Sequence, residues 1–186
     1  MPHSHCHTLS NAHGVFLSKT IADQPTRAIR PMRYDPVLHV VLYEPEIPPN
    51  AGNVGRTCVA IGAKMWLVRP LGFQIDDAHL RRAGLDYWDE LEWEVVDSWG
   101  HLVQQLGREP NWFFSAHASK LYTDVSYQRG DALVFGSESR GLPKPLRDRH
   151  ADSLLTIPAR PQVRSLNLSN CAAIVGYEAI RQWGFA

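Results

Sequence analysis

Nowhere in the 186 residues does an apolar run approach the roughly 20 residues that crossing a bilayer requires, and the first residues lack the lysine-then-apolar order of a secretory leader. These absences predict no membrane partner and a cytoplasmic location. Cysteine is scarce: Cys6, Cys58 and Cys171 are an odd number at wide spacing, which argues against a disulfide framework or a paired C-x-x-C zinc site. Cys58 and Cys171 fall within apolar helical patterns and read as buried thiols. There is no H-E-x-x-H and no G-x-x-x-x-G-K-[ST], and Pro48-Pro49-Asn50 stands where a G-x-G-x-x-G fingerprint would follow the first strand. A nicotinamide-dependent oxidoreductase therefore loses its main sequence support. Net charge is absent as well, with 19 basic and 19 acidic residues, so the total does not mark a nucleic-acid binder.

What is present is the composition of a folded domain, 44% hydrophobic and 20% charged, at a length suited to one domain plus a tail. Residues 1–36 carry Pro2, Pro25, Pro31 and Pro36 with no sustained apolar period, and read as a flexible extension. His3, His5, Cys6 and His7 lie in it without a second spaced ligand pair, so no metal site is expected. Met32 is an alternative start that would make the extension dispensable. Residues 37–186 form the predicted domain. Apolar runs at 37–43, 65–69, 111–116, 132–135 and 154–157 read as strands, and helical patterns occupy 51–61, 77–83, 98–106, 143–149 and 167–183. This alternation predicts an α/β fold with a mostly parallel sheet flanked by helices, and a ligand site at the carboxyl ends of its strands.

Three loops after predicted strands carry more polar chemistry than turns require. The first, Glu44 to Arg56, is stiffened by prolines; Asn50 is placed to cap the following helix, and Asn53 and Arg56 share a helix face near the amino end, which suits a phosphate or ribose. The second, Gly136-Ser137-Glu138-Ser139-Arg140-Gly141, pairs two glycines with a carboxylate and a guanidinium. The third runs from Ile157 to Asn170, and its Ser165, Asn167, Ser169 and Asn170 exceed the hydrogen-bonding needs of one helix cap. Cys171, Ile174, Val175 and Ile180 follow at helical spacing and read as core. Charge is unevenly distributed: Arg140, Lys144, Arg147, Arg149, Arg160 and Arg164 face few acids, whereas Asp86, Asp89, Glu90, Glu92, Glu94 and Asp97 form an acidic block. Read from the residues alone, the three loops are a ligand site of open chemistry.

The stretches YEPEIPPNAGNVGR, RRAGLDYW, FGSESRGLP and IPARPQVRSLNLSN, in this order, resemble the motifs of SPOUT (SpoU-type) RNA 2'-O-methyltransferases over about residues 38–183. Their spelling is most similar to the small bacterial members that methylate the wobble ribose of leucine tRNAs. The resemblance implies a carboxyl-terminal deep trefoil knot, a homodimer packed through the last helix, S-adenosylmethionine as cofactor and the tRNA anticodon loop as partner. Residue by residue, it implies a catalytic group of Asn50, Arg56, Glu138, Ser165 and Asn167. Gly136, Ile157, Ser165, Leu166 and His117 would contact the cofactor, although His117 stands where the family is usually apolar. Arg81, Arg82, Arg140, Arg160 and Arg164 are the expected phosphate contacts, and Tyr87 or Trp88 is either a base-stacking surface or core.

The family mechanism often names the arginine at Arg56 as general base. A guanidinium stays protonated in nearly every protein setting, so the alternative is that Arg56 holds a phosphate and stabilises a developing alkoxide, with Glu138 orienting Arg56 or a main-chain donor. Two other readings stand beside this one: methylation of another tRNA or rRNA nucleotide, and a non-catalytic RNA-binding module of the same fold.

Overall fold

Apolar runs rich in valine, leucine and phenylalanine make short strands here, and the helices between them cover both faces. The computed structural model describes residues 35–74 and 87–184. In chain order they form β1 (Leu38–Tyr43), α1 (Pro48–Ile61), β2 (Lys64–Val68), a 3-10 turn (Trp88–Glu90), β3 (Trp93–Val96), α2 (Trp99–Leu106), β4 (Trp112–Phe114) and β5 (Lys120–Leu121). There follow β6 (Asp131–Phe135), α3 (Lys144–Arg149), a second 3-10 turn (Ala151–Ser153), β7 (Leu154–Thr156) and α4 (Leu168–Trp183). The expected extension up to residue 34, with its histidines, the helix at 77–83, and Arg81 and Arg82 lie outside the described residues.

Among the described residues seven strands form one sheet in the order β3-β2-β1-β6-β4-β7-β5, and every pairing of these strands is parallel. Alternate side chains feed two cores. Leu38, Val40, Leu42, Met65, Leu67, Leu133 and Phe135 pack with Val54, Cys58 and Ile61 of α1 and Ala172, Val175 and Ala179 of α4. On the other face Val41, Trp66, Val68, Phe113 and Val134 pack with Leu102 of α2 and Leu142, and with partly buried Leu146 of α3. Burial on both faces explains why the strands read as unbroken apolar runs. Each buried valine, leucine, isoleucine, methionine or phenylalanine among them contributes about 1.5–3 kcal/mol relative to an exposed one.

The chain leaves neighbouring strands β1 and β6 toward helices on opposite faces, which opens a crevice at their carboxyl ends.

Several expectations need correction. Helix α1 starts at Pro48, three residues before the expected position, because prolines at the first two helical positions lack N–H groups that no carbonyl would have accepted. Strands β3 and β5 were not expected. The first lies within the acidic block as an edge strand, its Glu94 paired with Lys64 at 2.8 Å, and charge on an edge discourages further strand addition. The second is two exposed residues long. Ile174, read as core, is exposed on α4, whereas Val175 and Ile180 are buried.

Candidate active site

The loops that follow β4, β6 and β7, with the entry to α1, wall a cavity of about 640 Å³ at the carboxyl edge of the sheet. That volume is in the range of small-molecule and cofactor sites. Its floor is apolar, with Phe114 and Phe135 stacked at 4.7 Å between ring centroids and 13° between planes. Arg140, Arg147, Arg160 and Arg164 line it, and among the described residues Glu138 is the acidic side chain on its wall. Even with Arg140 paired to Glu44 and Glu46 beside the cavity, the excess of guanidiniums on the lining favours an anionic ligand. The Arg147 Nε is buried without a hydrogen-bond partner.

Glu138 joins the second loop to the first. One carboxylate oxygen accepts from the backbone N–H of Glu46 at 2.8 Å, and the other from the N–H of Ile47 at 3.3 Å and from Asn50 Nδ2 at 2.9 Å. The link is reciprocal: the Glu46 carboxylate accepts from the Ser139 N–H at 3.0 Å and from the Ser139 hydroxyl at 2.6 Å. The Ser139 hydroxyl holds the Glu46 carboxyl below the usual carboxylate range, with Arg140 nearby adding to the effect.

The third loop joins through Asn167. Its Nδ2 donates to Asn50 Oδ1 at 2.9 Å, while its Oδ1 accepts from Ser169 N–H and hydroxyl at 2.8 and 2.7 Å. A carboxylate can only accept, so Asn50 must turn its amide donor to Glu138 and its oxygen to Asn167. Both amide orientations thus follow from one anionic end. Asn50 is buried, and an unpaired amide there would cost about 1–3 kcal/mol.

Among the described residues, the expected ones separate into those brought to the cavity and one that is not. Asn50, Glu138, Ser165 and Asn167 line it, as do His117, Gly136, Ile157 and Leu166, and Arg140, Arg160 and Arg164 stand at its exposed rim. The Arg164 guanidinium donates to the Ser139 carbonyl, and Arg140 pairs with Glu44 at 3.4 Å. Arg56 does not line the cavity. It is exposed on α1, with its guanidinium carbon 4.5 Å from the Tyr87 ring centroid.

Three local readings change. Asn50 is not a helix cap: Ile47 holds that position, and Asn50 is the third residue of the helix with its side chain turned to Glu138. The start of α1, expected to attract a ligand phosphate, has no free N–H to offer at its first three positions: two are prolines and the Asn50 N–H goes to the Ile47 carbonyl, while Glu138 takes the N–H groups of Glu46 and Ile47 just before the helix. Arg56 is the ninth helical residue, about 12 Å along the axis from the first, beyond the reach of the amino-terminal dipole. Gly136, expected to admit a ligand, admits the chain itself. An added Cβ would lie 2.1 Å from the Gly141 carbonyl carbon, in a turn that also needs the positive φ of 66° at Gly141.

Tyr87 and Trp88 are buried, which removes them as base-stacking surfaces. Sequence reasoning missed the roles of Glu46 and Ser139; the signal for them was an acid before the prolines of the first loop and a hydroxyl beside Glu138. Cys58 is buried, its thiol pushed up to about 12, and Cys171 at the cavity wall is pushed up to about 11, both by burial, so neither is set up as a nucleophile. Among the described residues no group of three or more His, Cys, Asp or Glu side chains could hold a metal ion, and no helix is long and apolar enough to cross a membrane.

Residues 37–177 match the SpoU rRNA Methylase family. The tRNA (cytidine(34)-2'-O)-methyltransferase of Saccharophagus degradans is 46% identical over 154 residues, covering 81% of this chain and 98% of the relative. A solved structure presented for "the 2-OH methylation of C/U34 on tRNA" is 44% identical, with a TM-score of 0.73, covering 78% of this chain and 95% of that one. The SpoU methyltransferase AviRb of Streptomyces viridochromogenes, solved in complex with AdoMet, is 25% identical with a TM-score of 0.68 over 82% of this chain and 60% of that one. Family motifs, sheet and relatives matched along nearly their whole length agree, and the chain belongs to the SpoU rRNA methylase family of enzymes.

Proposed function

We propose that this enzyme transfers a methyl group from S-adenosylmethionine to the ribose 2'-oxygen of the wobble nucleotide, cytidine or modified uridine at position 34, in leucine tRNAs of the cytoplasm. The observation that carries the reading is the cavity itself: an apolar floor, an arginine rim, and three polar loops tied by the chain Glu138–Asn50–Asn167. The near-full-length relative named for cytidine 34 of tRNA supports the substrate.

The wall fits the cofactor. Stacked Phe114 and Phe135 offer an apolar bed, and the turn at Gly136 and the strand exit at Ile157 present main-chain polar groups. Gly136, Ile157, Ser165, Leu166 and His117 would hold the cofactor, which when bound supplies a methyl group on a sulfonium. Glu138, Asn50 and Asn167 keep the loops in one geometry, so that positioning contributes much of the rate. Arg140, Arg160 and Arg164 take phosphates of the anticodon loop. Arg56 remains a cation, holds the adjoining phosphate and stabilises charge developing on the ribose oxygen.

The assembly proposed is a homodimer. Ile174 and Tyr177 on α4 and Ile47 at the start of α1 are exposed apolar side chains, and α1 packs on α4. A partner over α4 would cover Ile174 and Tyr177, and Arg56, outside its own cavity, would serve the site of the other protomer. The proposed trefoil knot is supported by the sheet order: β7 lies between β4 and β5, which are joined by residues 115–119 alone.

The test is methyl transfer from labelled S-adenosylmethionine to leucine tRNA transcripts. About one methyl per tRNA is expected, lost when nucleotide 34 carries a 2'-deoxyribose. Undiminished labelling of the deoxy transcript would overturn the assignment to position 34.

A further inference from the structure

Arg56 is exposed on a long flexible side chain, yet it has a defined support. Its guanidinium carbon lies 4.5 Å from the centroid of the Tyr87 ring. The Tyr87 hydroxyl donates at 2.7 Å to the carbonyl of Gly52, in a buried bond between segments 35 residues apart. Gly52 precedes Arg56 by four residues, so the same carbonyl is the helical acceptor for the Arg56 N–H. One side chain therefore grips the turn that carries Arg56 and lies against its guanidinium. Room for this comes from Gly55, where an added Cβ would lie 2.8 Å from Leu91 and 3.5 Å from Trp88. The segment from Tyr87 to Leu91 is seated in a notch on α1 that a larger residue at position 55 would close.

We infer that Tyr87 is a positioning residue for Arg56, holding the guanidinium against its ring so that it meets the substrate in one orientation. The inference rests on the proposed part of Arg56 in methyl transfer. A planar cation on an aromatic face is attracted by the ring quadrupole, and on a solvent-exposed arginine that attraction selects among many rotamers. Burial of Tyr87 makes the support rigid, since its ring is held from behind by the core while its face carries the cation.

The experiment uses the full chain with Tyr87→Phe, Tyr87→Leu, Tyr87→Met and Arg56→Ala. Two quantities are measured: the side-chain 15N–1H resonance of Arg56, identified by its loss in Arg56→Ala, and the single-turnover rate at saturating S-adenosylmethionine and leucine tRNA. Tyr87→Phe keeps the ring and should leave the resonance in place, with the rate within about threefold. Tyr87→Leu should move the resonance out of the ring-current region and lower the rate at least about tenfold, with cofactor and tRNA dissociation constants changed less than about twofold. Tyr87→Met fills the space without a ring, and should repeat the result if the leucine variant fails to fold. An unmoved resonance in the ringless variants would overturn the inference. So would an equal loss of rate in Tyr87→Phe, or a loss expressed in cofactor affinity. Arg56→Ala at the wild-type rate would instead overturn the proposed part of Arg56, while the resonance would still report the contact.

Discussion

Asn50 and Glu138, 88 residues apart in sequence, share a 2.9 Å hydrogen bond that ties the entry of α1 to the loop after β6. The same carboxylate takes the backbone N–H groups of Glu46 and Ile47, so it fixes the strand-to-helix connection just ahead of α1. Glu138→Gln would turn an amide donor or a weaker acceptor toward these groups. Leaving the amide of buried Asn50 without its anion costs about 1–3 kcal/mol, with less from the partly exposed Glu46 and exposed Ile47 donors. The expected outcome is a lower melting temperature and methyl transfer reduced at least about tenfold, measured by thermal unfolding and single turnover. Asn50→Asp, which sets a second carboxylate against the first, should do the same at neutral pH and recover in part on acidification.

Gly136→Ala has a steric prediction. The new methyl group would lie 2.1 Å from the Gly141 carbonyl carbon and 2.2 Å from the Leu142 nitrogen, both backbone atoms that cannot rotate away. The turn must open, and the destabilisation should exceed about 4 kcal/mol, the range reserved for severe overpacking and strain. Denaturant unfolding and S-adenosylmethionine titration would show both losses; a variant with normal stability would contradict the packing described.

Stability should respond to pH through His39. Its ring is half-buried, accepts from Trp66 Nε1 at 3.1 Å, and has its pKa lowered to about 4 by burial, with Arg108 and Lys64 adding to the effect. Between about 4 and its ordinary 6.5 the unfolded chain binds a proton that the folded chain does not. Stability therefore rises with pH across that window, and the contribution is lost as pH falls from 6.5 toward 4. Allowing for solvent screening, it should amount to about 2 kcal/mol. His39→Asn keeps an acceptor for Trp66 and should flatten this part of the profile when urea unfolding is compared at the two ends of the window.

At the cavity rim, exposed Arg140 is held by partly buried Glu44 at 3.4 Å and Glu46 at 3.9 Å. A phosphate must compete with those carboxylates. Glu44→Gln should tighten tRNA binding about two- to fivefold at low salt, whereas Arg140→Ala, Arg160→Ala or Arg164→Ala should each weaken it and reduce the slope of log affinity against log salt by about one. Filter binding across a salt series distinguishes the cases, and a flat wild-type response would count against the rim as an RNA contact.

Much of the fold was readable because its information is local. Val40, Val41 and Leu42, or Leu133, Val134 and Phe135, are apolar on both faces, and the polar loops after them mark strand ends. Residue Glu138 was legible as charge out of place in a turn, but its partners were not, since no periodicity links residues 88 to 92 positions apart. Asn50 was misplaced because capping preferences were applied to a helix that already began at two prolines. Strand β3 was hidden by Glu94, whose acid is compatible with an edge but not with a central strand. Resemblance supplied the chemistry, and geometry then separated Arg56 from the cavity that Asn50, Glu138, Ser165 and Asn167 share.

The short connection from β4 to β5 has a further consequence. Residues 115–118 line the cavity, and the connection 115–119 also spans β7, so that Phe114 and Lys120 flank Leu155 from opposite sides. Filling the cavity should then also steady that edge of the sheet. A ligand that restrains this strap should slow amide hydrogen exchange at Tyr122, whose N–H reaches the carbonyl of cavity-lining Thr156 at 2.9 Å.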